Sequence, residues 1–367
     1  MTTFYAPGRT ELGGNHTDHN CGKVLAAPVN LRTTAVVSKR DDSLVVFDSK
    51  GFGRTEVNLD NLEIRPEETG TTAALIRGVA AGFAKRGGKT GGFEASVSST
   101  VFAGSGLSSS ASVEILLGRI FNGLYGNSFS QVELAIIGQE AERNYFGKPC
   151  GLMDQLACAS MGIVRIDFKN PSDPQITQID RRFEDYGYSL VIVNTGGSHA
   201  DLTPDYAAIP SEMKAVAAFF GKDNLRAVDR KLFNSELVAL RKAVSNDRAV
   251  LRAMHYFDEN DRVDFMTTAL QSGDFDRYLE LVNECGRSSV SMLQNAYSPS
   301  HPLNQEITLA LSVSAKLLGG KGACRLQGGG FAGTIQAYVS QDYVDTYTQE
   351  IEKVFGKDSS VLITLGG

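Results

Sequence analysis

Residues 102–114 read FAGSGLSSSASVE, two glycines and a run of serines set directly before the apolar three-to-four spacing of Val113 to Leu124. No other stretch constrains the fold as much, because it demands a loop that delivers the chain onto a helix N-terminus. Ser108 to Ser112 supply cap-type residues, and Gly104 and Gly106 let the backbone approach a ligand closely. Backbone N–H groups and the helix dipole at such a point attract anions, and the hydroxyls can add phosphate or Mg²⁺ contacts. A serine-capped helix after a glycine turn is the plainer alternative. The loop is not a Walker A motif, which needs a lysine, for none occurs between Lys89 and Lys148. The protein-kinase signature set is also missing.

Around this junction the chain falls into blocks. Strand-like runs (Phe4 to Ala6, Thr33 to Ser38, Leu44 to Phe47, Phe93 to Val97) fill the first hundred residues between Gly, Asp and Pro breakers. Helical spacing follows at Val113 to Leu124 and Val132 to Tyr145, then strands at Ile163 to Phe168 and Leu190 to Val193. Further helices are expected at Glu212 to Phe220, Ser235 to Val244, Arg248 to Phe257, Tyr278 to Asn295 and Asn304 to Leu318. The C-terminal end reads as strand Thr334 to Val339, helix Val344 to Phe355 and strand Val361 to Thr364. Blocks without strict alternation predict an α+β fold. The length of 367 residues suggests two domains, and the charged run DRRFEDYGY, which separates two apolar stretches, places their division at 1–182 and 183–367.

Charge and cysteine usage exclude several classes. The net charge is −6 and no basic block exceeds the pair Arg181-Arg182, which argues against nucleic acid as a partner. No signal-like N-terminus and no apolar stretch of membrane-spanning length are present, so the chain reads as cytoplasmic, with no membrane partner. Its five cysteines are widely spaced without a CxxC pair, as expected of reduced thiols.

Three further segments concentrate chemistry. Ala6 to Gly22, APGRTELGGNHTDHNCG, packs Arg9, Asn15, His16, Asp18, His19 and Asn20 between glycines, a donor and acceptor density that suits a polyhydroxy ligand. It also reads as a solvated polar turn, or, through HTDH, as a metal cluster, although that spacing is shorter than HExxH. CRLQGGGFAG, Cys324 to Gly333, requires a tight bend or a close approach of backbone, or is a plain glycine hairpin. In EAERNYFGKPCGLMDQLAC, Glu142 and Asp154 stand either side of Gly147, Pro149 and Gly151, so two helix ends can bring both carboxylates to one site, or both can be surface groups.

Together, and in this order, GRTELGGNHTDHNCG, GSGLSSSAS, FGKPCGLMDQ, AMHYFDENDRV and LQGGGFAG resemble the GHMP small-molecule kinases, and within them the galactokinase branch. The resemblance spans essentially the whole chain. It implies a two-domain fold with an N-terminal mixed-sheet domain, ribosomal S5 domain 2-like, and a C-terminal ferredoxin-like domain. It implies ATP-dependent phosphorylation of the anomeric C1 hydroxyl of galactose, with Mg²⁺ as cofactor, sugar and ATP as small-molecule partners, and a monomer or weak dimer. In that reading Asp154 is the catalytic carboxylate and Arg9 the cation that keeps it ionised. Arg9, Asn15, His16, Asp18, Asp154 and Tyr206 contact the sugar. Gly104, Ser105, Gly106, Leu107, Ser108, Ser109, Ser110, Ala111 and Gly329 enclose ATP, and Ser110 and Glu142 hold the metal.

The chain departs from the family pattern at three places. Galactokinases usually read GRVNLIGEHTDYN, where this chain has Asn15 for the Glu and His19 for the Tyr. Losing a carboxylate near C6 removes a Coulomb penalty of about 4 kcal/mol, at about 4 Å and an effective dielectric near 20, against an acidic sugar. A C6-altered hexose such as galacturonate is therefore an alternative acceptor, and a protonated His19 would favour it further. The chain has no Trp, and Thr72 stands where many galactokinases place one near adenine, so stacking falls to other side chains. Met292 to Ser298 replaces the usual DDYEVS-like run. A non-catalytic sugar and ATP sensor is the third reading, opposed by the unbroken GLSSSAS run, Glu142 and Asp154.

Overall fold

The structure, a computed structural model, describes residues 1–101, 106–148, 150–197 and 202–366. Eleven strands are described: β1 (Thr2–Gly13), β2 (Lys23–Lys39), β3 (Leu44–Ser49), β4 (Gly53–Asn58), β5 (Phe93–Ser99), β6 (Ile163–Asp167), β7 (Gln175–Ile179), β8 (Tyr188–Asn194), β9 (Ala323–Leu326), β10 (Thr334–Ser340) and β11 (Ser360–Ile363). The first seven form one sheet in the order β4-β3-β5-β2-β6-β7, with β1 paired to β2. Its β3–β5 pair is parallel and the rest antiparallel, so the sheet is mixed. The remaining four form a second sheet, β11-β8-β10-β9. An isolated bridge from Val29 to Leu365 joins the C-terminal end of the chain to β2.

Two apolar layers clasp the first sheet. On one face Val24, Ala26, Ala35 and Val37 of β2 pack with the helices Thr72–Lys85, Ser109–Tyr125, Gln131–Ala141 and Met153–Ala159. On the other, Leu12, Leu25, Ala27 and Val29 pack with Leu190 and Ile192 of β8, Tyr338 of β10, and the helices Asp247–Ser272 and Phe275–Ser288. This double cover explains why β1 is buried on every residue from Ala6 to Gly13 instead of on alternate ones. Polar residues there cannot escape to water, so Arg9 and Glu11 each need an internal partner.

Several elements extend past their sequence signals. The predicted Ala6 to Gly22 loop is a strand as far as Gly13, followed by a β1–β2 hairpin loop over residues 14–22. Gly14 opens that loop at φ +87°, where a Cβ would lie 2.4 Å from the Lys23 carbonyl. The helix expected from Glu212 begins at Thr203 and carries Pro210 inside it, which puts Tyr206 on a helix. The run from Arg248 continues as one helix to Ser272, because Val263, Met266 and Leu270 keep the buried face going beyond Phe257. The predicted Ser235 to Val244 helix is divided at Glu236, and the stretch from Tyr278 ends its α-helical part at Ser288, with a wider turn over Ser289–Leu293.

Candidate active site

The hairpin loop, the serine-rich helix start, the Met153–Ala159 helix and the triple-glycine turn converge on one cleft. At its centre Arg9 Nε donates to Asp154 Oδ1 at 2.8 Å. Ser108 Oγ donates to Asp154 Oδ2, and a second Arg9 nitrogen donates to the Gly106 carbonyl. Asp154 stands in the first turn of its helix, where the dipole favours an anion. Burial alone would raise its pKa, but the Arg9 charge, hydrogen bonds from Arg9 and Ser108, and the Lys148 charge outweigh it and hold the carboxyl below the ordinary carboxylate range. The group is thus an anion at neutral pH, with a side chain still 31% exposed to the cleft.

The Ser109–Tyr125 helix begins at that carboxylate. Ser108 sits in the left-handed region at φ 57°, ψ 64°, and does not cap its own helix because its hydroxyl is turned to Asp154. The Arg9 backbone N–H fixes the approach by donating to the Leu107 carbonyl at 3.0 Å. A strained non-glycine residue held from two sides at a ligand-facing loop is a feature of functional sites. The first-turn N–H groups of Ser109 to Ala111, with no side-chain cap, form the anion-attracting helix end that the sequence predicts. Gly104 and Ser105 lie outside the described residues.

Beside it, Ser110 Oγ donates to Glu142 Oε1 at 3.0 Å. Glu142 is 2% exposed and opens the wide turn Glu142–Phe146, a single turn of π-helix of the kind that recurs at functional sites. A hydroxyl and a carboxylate at this separation are hard oxygen donors of the type Mg²⁺ takes, with phosphate and water completing its shell. Among the described residues no group of three or more His, Cys, Asp or Glu is arranged to hold a metal.

On the opposite wall the glycine turn is strapped down by side chains. The Gly328 carbonyl accepts from Asn15 Nδ2 at 2.7 Å, the Gly329 carbonyl from His16 Nε2 and Asn295 Nδ2 at 3.0 Å each, and the Gly330 carbonyl from Tyr206 Oη at 2.8 Å. The Tyr206 ring lies against Gly329, where a Cβ would sit 2.7 Å from it. Burial, then Asp205, push the Tyr206 pKa up to about 12, so its hydroxyl keeps the proton it donates. Gln327 Nε2 donates to the Gly106 carbonyl at 3.1 Å, which ties this turn to the segment leading into the serine-rich helix.

Asp18 closes the third side. Its Oδ1 accepts from the His19 backbone N–H at 2.9 Å, and its Oδ2 presses on Gly151, where a Cβ would lie only 1.8 Å away. Burial, then the Asp154 charge, push its pKa up to about 6. Gly151→Ala is therefore expected to drive Asp18 aside, which an NMR titration of the Asp18 carboxyl in parent and variant will read. His16 and His19 face each other at 3.3 Å. Because the Gly329 oxygen can only accept, His16 carries its proton on Nε2, and its Nδ1 accepts from His19 Nε2.

These elements match known families. A family model described as "GHMP kinases N terminal domain" matches residues 74–162, and one described as "Galactokinase galactose-binding signature" matches residues 2–39. A galactokinase of Clostridium acetobutylicum is 31% identical over 355 residues, covering 95% of this chain and 88% of its own. The chain belongs to the galactokinase family of GHMP kinases. Among solved structures, Lactococcus lactis galactokinase complexed with galactose superposes with a TM-score of 0.85 at 24% identity, covering all of this chain and 93% of its own. Methanococcus jannaschii mevalonate kinase gives 0.69 at 15% identity, covering all of this chain and 98% of its own.

Set against the galactokinase pattern, one expectation changes. Asn15, expected on the sugar, is fully buried and spends its amide on protein. Its Nδ2 donates to Glu11 Oε1 at 3.0 Å and to Gly328, while its Oδ1 accepts from Asn295 Nδ2 at 3.0 Å. The cause lies four residues earlier. Where the galactokinase motif GRVNLIGEHTDYN has Asn and then Glu, this chain has Glu11 and then Asn15, the two types exchanged and hydrogen-bonded to each other. The carboxylate is thus relocated, not lost, and Arg325 neutralises it at 2.5 Å. Glu11 stands out only when both positions of the motif are compared together, since the change at one is reciprocal to the change at the other. His19, whose side chain is exposed, is turned onto protein, with its two ring nitrogens 3.3 Å from His16 Nδ1 and 3.0 Å from Asn20 Nδ2. Thr72, half-buried, is the first residue of its helix.

Proposed function

We propose that this chain transfers the γ-phosphoryl group of ATP to the C1 hydroxyl of galactose, releasing galactose 1-phosphate and ADP. The observation that carries the reading is Asp154, an ionised carboxylate held by Arg9 and Ser108 at the N-terminus of one helix and beside the uncapped N-terminus of another. Phosphoryl transfer has a loose transition state, so a protein accelerates it chiefly by aligning acceptor and phosphate and by balancing charge. The Ser109–Tyr125 helix end and the glycines around it bind the phosphates. Asp154 orients the C1 hydroxyl and takes its proton as the new O–P bond forms, and Arg9 balances the charge on that carboxylate. Ser110 and Glu142 would hold Mg²⁺, which would supply neutralisation of phosphate charge.

Asp18, His16 and Tyr206 line the sugar side. Hydroxyl donors need an ionised Asp18, so the galactose KM is expected to fall as pH rises through about 6, and Asp18→Asn to remove that dependence. Stability runs the other way. A carboxyl whose folded pKa is raised stabilises the fold fully below its unfolded pKa of about 3.9 and loses that contribution as pH rises through about 6. The Tm of Asp18→Asn relative to the parent is therefore higher at pH 8 than at pH 4.5.

The carboxylate placed at Glu11 is paired with Arg325, so the exchange in the sugar motif frees no cation for an acidic sugar. An ADP-release assay over galactose, galacturonate, N-acetylgalactosamine and arabinose tests the choice. Galactose is expected to give the highest kcat/KM, and preference for galacturonate would overturn it.

A further inference from the structure

Gln155 directly follows Asp154 in the Met153–Ala159 helix and is fully buried. Its Nε2 donates to two carboxylates, Glu142 Oε2 at 2.8 Å and Glu114 Oε2 at 2.9 Å. An amide nitrogen has two hydrogens, so this bridge uses both. Glu114 is fully buried on the Ser109–Tyr125 helix, one turn beyond Ser110. Gly138 allows the bridge to form, because a Cβ there would lie 3.2 Å from the Glu114 Cβ and 3.3 Å from the Gln155 Cγ.

The bridge divides the two oxygens of Glu142. Oε2 is taken by Gln155 from inside the protein, while Oε1 faces Ser110 Oγ at 3.0 Å and the half-exposed Lys148 ammonium at 3.1 Å. We propose that Gln155, anchored on Glu114, is a positioning residue that locks the Glu142 carboxylate with Oε1 turned toward the divalent cation. The proposal rests on the reading that Ser110 and Glu142 hold that cation. Successive helix residues project about 100° apart. One helical turn thus sends Asp154 to the acceptor sugar and Gln155 to the metal's carboxylate, coupling the two halves of the reaction in one rigid element. Outer partners of metal ligands are worth 10–100-fold in metal affinity.

The test is Mn²⁺ binding read by electron paramagnetic resonance, with a non-hydrolysable ATP analogue present, on the parent and on Gln155→Met, which keeps the side-chain length and removes the donor. The proposal expects about 10–100-fold weaker Mn²⁺ binding, an unchanged galactose KM, and kcat restored by raising Mg²⁺. Unchanged Mn²⁺ affinity, or a kcat loss that Mg²⁺ does not restore, overturns it. Absence of Mn²⁺ binding by the parent contradicts the Ser110 and Glu142 reading itself, and the proposal with it. Should Gln155→Met not fold, Glu114→Leu removes the anchor and leaves the ligand in place. Weaker binding, short of the loss in Gln155→Met, then supports the proposal, and parent-like binding overturns it.

Discussion

Asp154→Asn is expected to lower kcat with galactose by about 10²–10⁴-fold, the range for loss of a positioned proton acceptor, while the KM for ATP stays within about twofold. The substitution keeps the shape of the side chain. It replaces the anion that Arg9 Nε meets at 2.8 Å and that Ser108 also contacts. The phosphate-facing helix end is untouched, so nucleotide affinity should survive, and direct binding of ATP to the variant separates this outcome from unfolding. Turnover within a few-fold of the parent would remove Asp154 from the chemistry.

The second large effect is expected at Arg9. Arg9→Met removes the cation beside Asp154 and the donor to the Gly106 carbonyl, and should reduce kcat/KM by about 10²–10³-fold, as loss of a charge-stabilising donor does elsewhere. The pH profile carries the more specific signature. In the parent, burial would raise the Asp154 pKa, but Arg9 leads the groups that hold it low, so kcat/KM has no limb from this residue above the ordinary carboxylate range. Without Arg9, burial prevails, the pKa rises, and an acid limb moves toward neutrality. The same reversal acts on stability. A depressed carboxyl contributes stability above its unfolded pKa and loses it as pH falls through the folded value, so Arg9→Met is most destabilising at neutral pH and least so in acid. An unshifted acid limb in Arg9→Met would mean that Asp154 is not tuned by this pair.

Much of the site was legible because its chemistry lies in contiguous motifs. GSGLSSSAS announces a loop on a helix end, and Ser108 to Ala111 stand there. GLMDQ places an acid in the first turn of a helix, and Asp154 is there. What the motifs do not convey is the local backbone around them and the buried partners they do not contain. Arg9 looked like a loop residue, because a strand covered on both faces has no alternating pattern to read. Asn15 looked like a ligand because nothing local indicates that Glu11, Gly328 and Asn295 consume its amide. Tyr206 lies before the helix expected from Glu212, yet that helix begins at Thr203 and runs through Pro210. Tertiary partners outweighed local propensity in each case.

The most direct measurement is phosphorus-31 NMR of the products formed from ATP, Mg²⁺ and galactose by the purified protein. The account predicts ADP together with a single sugar phosphate whose phosphorus couples to the anomeric proton, and its loss in Asp154→Asn. Phosphate on another carbon, or ADP formed without any sugar phosphate, would contradict it.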